Sequence, residues 1–187
     1  SRYPIPYVIP PGIEREINIG TTNLQRRNEQ AMQIVSRGLL DGDARATFKT
    51  VDFDFRRYKK LKMFVHAEKM RLNDKLEDKD LTIFVRLGAD FTENYYEYEI
   101  PLVLTEWGTS DPEAIWPEAN RFNVDLERLV DVKLNRNIAE RESVSILNTG
   151  SLYSEMDGEN KITVKGSPSL SDVKAIMIGV RNPKKRS

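Results

Sequence analysis

LTIFVRLGADFTENYYEYEI occupies residues 81–100. Leu81, Ile83, Val85 and Leu87 alternate with Thr82, Phe84 and Arg86. Further on, Tyr96, Tyr98 and Ile100 share one face, while Tyr95, Glu97 and Glu99 share the other. Successive side chains of a strand point to opposite faces, so this alternation is that of half-buried strands. The aromatic and branched residues also suit a pleated surface. The question is whether the flanking sequence continues in the same period.

Towards the C-terminus it largely does. DGENKITVKG (157–166) reads as a turn and then a strand with Ile162 and Val164 inward. In SLSDVKAIMIGVRN (169–182), Ile176, Ile178 and Val180 alternate with Met177 and Gly179. Residues 105–123, TEWGTSDPEAIWPEANRFN, form the longest irregular section. NVDLERLVDVKLNRNIAE (123–140) fits either period; a strand to about residue 126 and then a short helix with Asp125 as N-cap is favoured.

Towards the N-terminus, RRYKKLKMFVHAE (56–68) places Leu61, Met63, Val65 and Ala67 on one face, and Lys60, Lys62, Phe64 and His66 on the other. Asp41-Gly42 is a turn dipeptide, so AMQIVSRGLL and DARATF should pair as a hairpin. A short strand around Ile17 and Ile19 precedes it. SRYPIPYVIPPG (1–12) holds four prolines and reads as an extended arm. Many short strands with turn signals predict an all-β sandwich with one short helix. The divisions expected are an arm and edge strand over 1–29, the sandwich over 30–183, and a tail over 184–187. The strands are short and their outer faces carry Lys, Arg and Glu, which disfavours a membrane barrel.

Composition narrows the function classes. Lys plus Arg total 29 and Asp plus Glu total 29. A nucleic-acid binder draws most of its affinity from a basic surplus, and none exists here. With no cysteine, thiolate catalysis, disulfides and zinc-thiolate sites are excluded. No apolar run approaches the length of a membrane helix.

Arg56, Lys60 and Lys62 form a candidate basic contact face, although lysines on strands also keep edges soluble. Glu97 and Glu99 are expected on the wet face, opposite these lysines. Trp107, Trp116 and Tyr95 are candidate partner or glycan contacts, since exposed rings stack on sugars or anchor partners. The two tryptophans can equally plug the end of the sandwich, and that or an interface role is favoured. His66, the only histidine, has no Ser-His-Asp or Cys-His motif around it, so no catalytic residue is expected. Asp41, Asp43, Asp52 and Asp54 match no calcium-loop pattern, and neither do Glu155, Asp157 and Glu159. No metal site and no cofactor are expected.

Longer phrases carry a resemblance. PPGIERE (10–16), DGDARA (41–46) and GSPSLSDVKAIMIGVRN (166–182) resemble the SprA (Sov) family, as do the longer tracts 7–30, 39–68, 81–102 and 162–183, in order. This is the family of the outer-membrane translocon of type IX secretion and gliding motility. Residues 56–182 also resemble a jelly roll of the galactose-binding or carbohydrate-module kind. The resemblance implies a non-catalytic, soluble structural module of a much larger barrel protein. Its implied partners are other parts of that translocon, shuttle and plug proteins, and cargo, without nucleic acid and without a membrane span of its own. It implies the bacterial cell envelope, at the outer membrane, with the extracellular side favoured over the periplasmic. A carbohydrate-binding module is the alternative. The chain has no initiator Met and reads as an excised segment.

Overall fold

The computed structural model describes residues 7–14, 31–142 and 150–183. The expected strand at Ile17 and Ile19 and the tail over 184–187 lie outside the described residues. Among the described residues eight strands are formed: β1 (Ala44–Phe53), β2 (Lys60–Met63), β3 (Thr82–Gly88), β4 (Tyr95–Pro101), β5 (Phe122–Asp125), β6 (Tyr153–Asp157), β7 (Asn160–Lys165) and β8 (Val173–Arg181). A short helix α1 (Pro112–Ile115) precedes β5, and a long helix α2 (Leu126–Glu142) follows it. Six strands form one antiparallel sheet in the order β1-β8-β3-β4-β7-β6, and β2 pairs with β5 in a second. The protein is mostly β, with two antiparallel sheets, as the period-two runs require.

The register explains the core. Ile83 faces Ile100, Val85 faces Tyr98 and Leu87 faces Tyr96 between β3 and β4. β8 continues the same face with Ile176, Ile178 and Val180, and β7 adds Ile162 and Val164. Against this face pack Phe122 and Val124 of β5, Leu61 and Met63 of β2, and Leu126, Leu129 and Val132 of α2. Val65 and Ala67 extend the β2 contribution, so the predicted inward face of residues 61–67 is the observed one. Removing this much apolar surface from water is the main source of stability.

Two expectations are corrected. The Asp41-Gly42 turn forms, with Gly42 at φ +82° and Asp43 N–H donating to Leu40 O at 2.9 Å. Residues 31–40 nevertheless adopt no strand. β1 instead pairs with β8, Ala44 opposite Arg181 through Thr50 opposite Ala175. A turn dipeptide specifies reversal, but the partner of the following strand is settled by non-local packing.

Helix α2 runs 17 residues, because Leu126, Leu129 and Val132 recur at helical spacing and bury against the sheets.

Glu97 and Glu99 are not on a wet face opposite Lys60 and Lys62. They are 3% and 4% exposed, and β4 lies between β3 and β7, in a different sheet from β2.

Candidate functional site

The basic stretch forms a corner between the two sheets. β1 ends at Phe53, a single 3-10 turn spans Phe55–Arg57, and β2 starts at Lys60. Phe55 N–H donates to Leu170 O at 2.7 Å, which pins the turn. Asp54 caps it by accepting from Arg56 N–H at 3.0 Å. The same carboxylate holds the Arg56 guanidinium at 2.7 Å. Those Arg56 hydrogen bonds bring the Asp54 carboxyl down to about 2. Arg56 is thereby engaged by its neighbour.

Around the turn, the Phe53, Phe55 and Tyr58 rings stand 5.2 to 6.0 Å apart, centroid to centroid. Phe53 is 44% and Tyr58 52% exposed. Lys60 approaches Asp125, its cross-strand partner, at 3.5 Å. Lys62 lies opposite Asn123. Arg57, Lys59 and Lys62 make no ion pair among the described residues. The corner therefore exposes the Phe53 and Tyr58 rings beside cations, with Phe55 half-buried against the core.

The tryptophans do different work. Trp107 is exposed and donates its indole N–H to Lys69 O at 3.0 Å, fastening loop to loop. Trp116 donates to Val8 O at 3.0 Å. Its ring meets Tyr7, Phe64 and His66 edge-on at 6.1, 6.3 and 5.8 Å. Trp116 thus anchors the N-terminal arm on the extension of β2. Trp116 is the C-cap of α1, whose N-cap Asp111 accepts from Glu113 N–H, with Pro112 in the first turn.

His66 has lost its freedom to the same cluster. Its Nδ1 lies 3.0 Å from Ile115 O and 3.0 Å from Thr105 Oγ1. Its Nε2 lies 3.3 Å from the Glu68 carboxylate. A carbonyl only accepts, so Nδ1 carries a proton and cannot take one from Thr105. The Thr105 side chain is itself buried. The group ties β2's extension to the loop after β4.

Tyr95 sits on the six-stranded sheet, buried, with the Arg86 guanidinium 3.9 Å above its ring. Burial raises its phenol. Beside it lies a set of charges that sequence reasoning missed. Arg86 binds Glu97 at 2.6 Å, and Arg181 binds both Glu97, at 2.9 Å, and Glu99. Lys161 and Thr82 complete Glu99 at 2.8 and 2.5 Å. Burial would raise the Glu99 carboxyl, but the bonds from Lys161 and Thr82 and the Arg181 charge outweigh it and hold it low. The signal available was positional: Arg86, Glu97, Glu99 and Arg181 all fall on the sheet face opposite the core.

Most of the acidic side chains considered as calcium ligands are engaged by donors of the chain itself. Asp52 binds Lys174 at 2.7 Å, Asp41 accepts from Asn182, and Glu159 binds Lys79. Asp157 accepts from Tyr98 at 2.9 Å. Burial, with this bond, pushes the Tyr98 phenol up to about 12. Among the described residues no three His, Cys, Asp or Glu side chains converge as metal ligands.

A family model, SprA_N, described as motility related/secretion protein, matches residues 1–187. The chain belongs to the SprA_N family. No curated protein matches it. This SprA_N chain is accordingly a motility- and secretion-related protein. Among its described residues no helix is long and apolar enough to cross a membrane. Within the SprA_N fold, Arg56, Lys60 and Lys62 lie together at the sheet corner. Trp107, Trp116 and Tyr95 make contacts with three separate sets of residues.

Proposed function

We propose that this SprA_N chain is a non-catalytic structural module of a type IX secretion translocon. In this reading it shapes the surround of the pore or docks partner proteins, and the corner formed by Phe53, Phe55 and Tyr58 is its contact surface. The exposed Phe53 and Tyr58 rings, grouped around the half-buried Phe55, are the observation that carries the reading. Aromatic and Arg side chains dominate the energy of protein interfaces, and here Arg57, Lys59 and Lys62 add charge that selects an acidic surface. The turn beneath them is fixed by backbone and side-chain hydrogen bonds, so little ordering entropy opposes docking. The partners proposed are other parts of the translocon, its shuttle and plug proteins, and cargo. The site proposed is the outer membrane, on the extracellular side.

A photo-crosslinking residue at Tyr58 in living cells tests this. Adducts with envelope proteins are expected, and they should disappear with the triple change of Arg57, Lys59 and Lys62 to Glu. Adduct-free cells would remove the reading. Binding of this chain to a glycan array, abolished by Trp107→Ala, would replace it with a carbohydrate-binding one. Protease accessibility in intact cells reports the side of the membrane.

A further inference from the structure

Helix α2 carries two apolar stripes. One, Leu126, Leu129 and Val132, is buried in the core. The other is outside: Val130 is 44% exposed, Leu134 55% and Ile138 43%. Positions four apart lie about 40° from each other around a helix, so these three residues form a continuous ridge. A ridge of this kind on a water-facing helix is a contact surface in want of a partner.

The charges at its ends say which partner. Glu127 lies seven residues before Leu134 and Arg141 seven residues after it. Seven residues return a helix to within about 20° of its starting direction, so both belong to the same ridge. Neither makes an ion pair among the described residues. The pattern is self-complementary about Leu134. A second α2 turned end for end places Leu134 on Leu134, Val130 on Ile138, and Glu127 on Arg141, twice over. A two-fold interface requires this reciprocity, in which one residue meets another and is met by its counterpart.

We propose that this ridge is a self-association surface, where α2 of a second copy of the chain lies antiparallel with the two Leu134 side chains at the two-fold axis. The orientation is set by Glu127 and Arg141, because a parallel pairing would bring like charges together. One helix pair is small beside interfaces of about 1,600 Å², so the association is weak and concentration-dependent. It suits copies of the module held close together, where effective concentration is high.

Sedimentation equilibrium of the whole chain, over a series reaching about 1 mM, tests the proposal. A monomer–dimer equilibrium is expected, and a monomer throughout would overturn it. Leu134→Glu should abolish the dimer while circular dichroism stays unchanged. Glu127→Arg and Arg141→Glu should each weaken the dimer about tenfold, and the double reversal should restore it. A dimer insensitive to these changes, or not rescued by the double reversal, would refute the antiparallel register. A spin label at residue 127 should broaden amide signals near Arg141 of an unlabelled copy; broadening near Glu127 instead would likewise refute it. Because the charge arm uses exposed side chains, it remains decisive if Leu134→Glu disturbs folding.

Discussion

The Phe84 ring lies over Gly179, its directly paired neighbour on β8. A Cβ at Gly179 would sit 2.5 Å from Phe84 Cζ and 2.6 Å from Ala46 Cβ. The glycine leaves space that an aromatic ring from the next strand fills, which is a known way to stabilise glycine within a sheet. Gly179→Ala should therefore destabilise by about 1–3 kcal/mol through overpacking. Pairing it with Phe84→Ala should recover part of that loss, since the two residues share one space. Urea denaturation of the single and double variants would check this.

The Glu99 carboxylate makes stability depend on acid. Its folded-state pKa lies below the ordinary carboxyl value. Its contribution is therefore complete above the unfolded pKa and is lost as the pH falls through the folded one. Glu99→Gln should cost about 3 kcal/mol at neutral pH, because it leaves Arg181 and Lys161 less well matched. The same variant should flatten the acid limb of the stability curve. An acid limb of unchanged slope in Glu99→Gln would contradict this account.

Two glycines with the same backbone sign should respond differently to alanine. Gly166 has φ +64° and Gly158 φ +66°. Around Gly158 a Cβ meets nothing, whereas at Gly166 it would overlap the Glu93 carbonyl. Gly158→Ala should cost only the left-handed backbone penalty, about 1 kcal/mol. Gly166→Ala should cost that and a displaced β3–β4 loop as well, for a total above about 2 kcal/mol. Thermal melts of both variants would show the difference.

Trp116 should control the N-terminal arm. Trp116→Phe keeps the ring among Tyr7, Phe64 and His66 but loses the bond to Val8 O, at a cost of about 1 kcal/mol. Trp116→Ala should release residues 7–10 to protease at least severalfold faster, with β3 and β4 still protected. Equal protease resistance in wild type and Trp116→Ala would contradict the anchoring role.

The extent of what the residues disclose varies by element, for physical reasons. The strands β3, β4, β7 and β8 were legible because each buries one face and so shows a clean period of two. Helix α2 was blurred because Val130, Leu134 and Ile138 add an exposed apolar ridge to the buried one. Two ridges on one helix make the apolar residues look nearly continuous, which is equally a strand pattern. The partner of β1 was not legible, since residues 173–181 lie far away in sequence. The burial of Glu97 and Glu99 escaped for a similar reason. Each glutamate has the composition of a wet face, and only the cross-strand positions of Arg86, Lys161 and Arg181 neutralise it. Of the candidate contacts, the basic corner could be found from its run of charge. Its aromatic trio could not, because Phe53 and Phe55 straddle the end of β1.

The pairing of β1 with β8 also ties together the two ends of the path through the large sheet. Gly42 N–H donates to Asn182 O at 2.8 Å, and Asn182 N–H donates to Asp43 O at 2.9 Å. The path into the large sheet and the path out of it therefore pass through adjacent gates, one hydrogen bond apart. Opening of either strand end loosens the other, so β1 and β8 should fray together rather than one at a time.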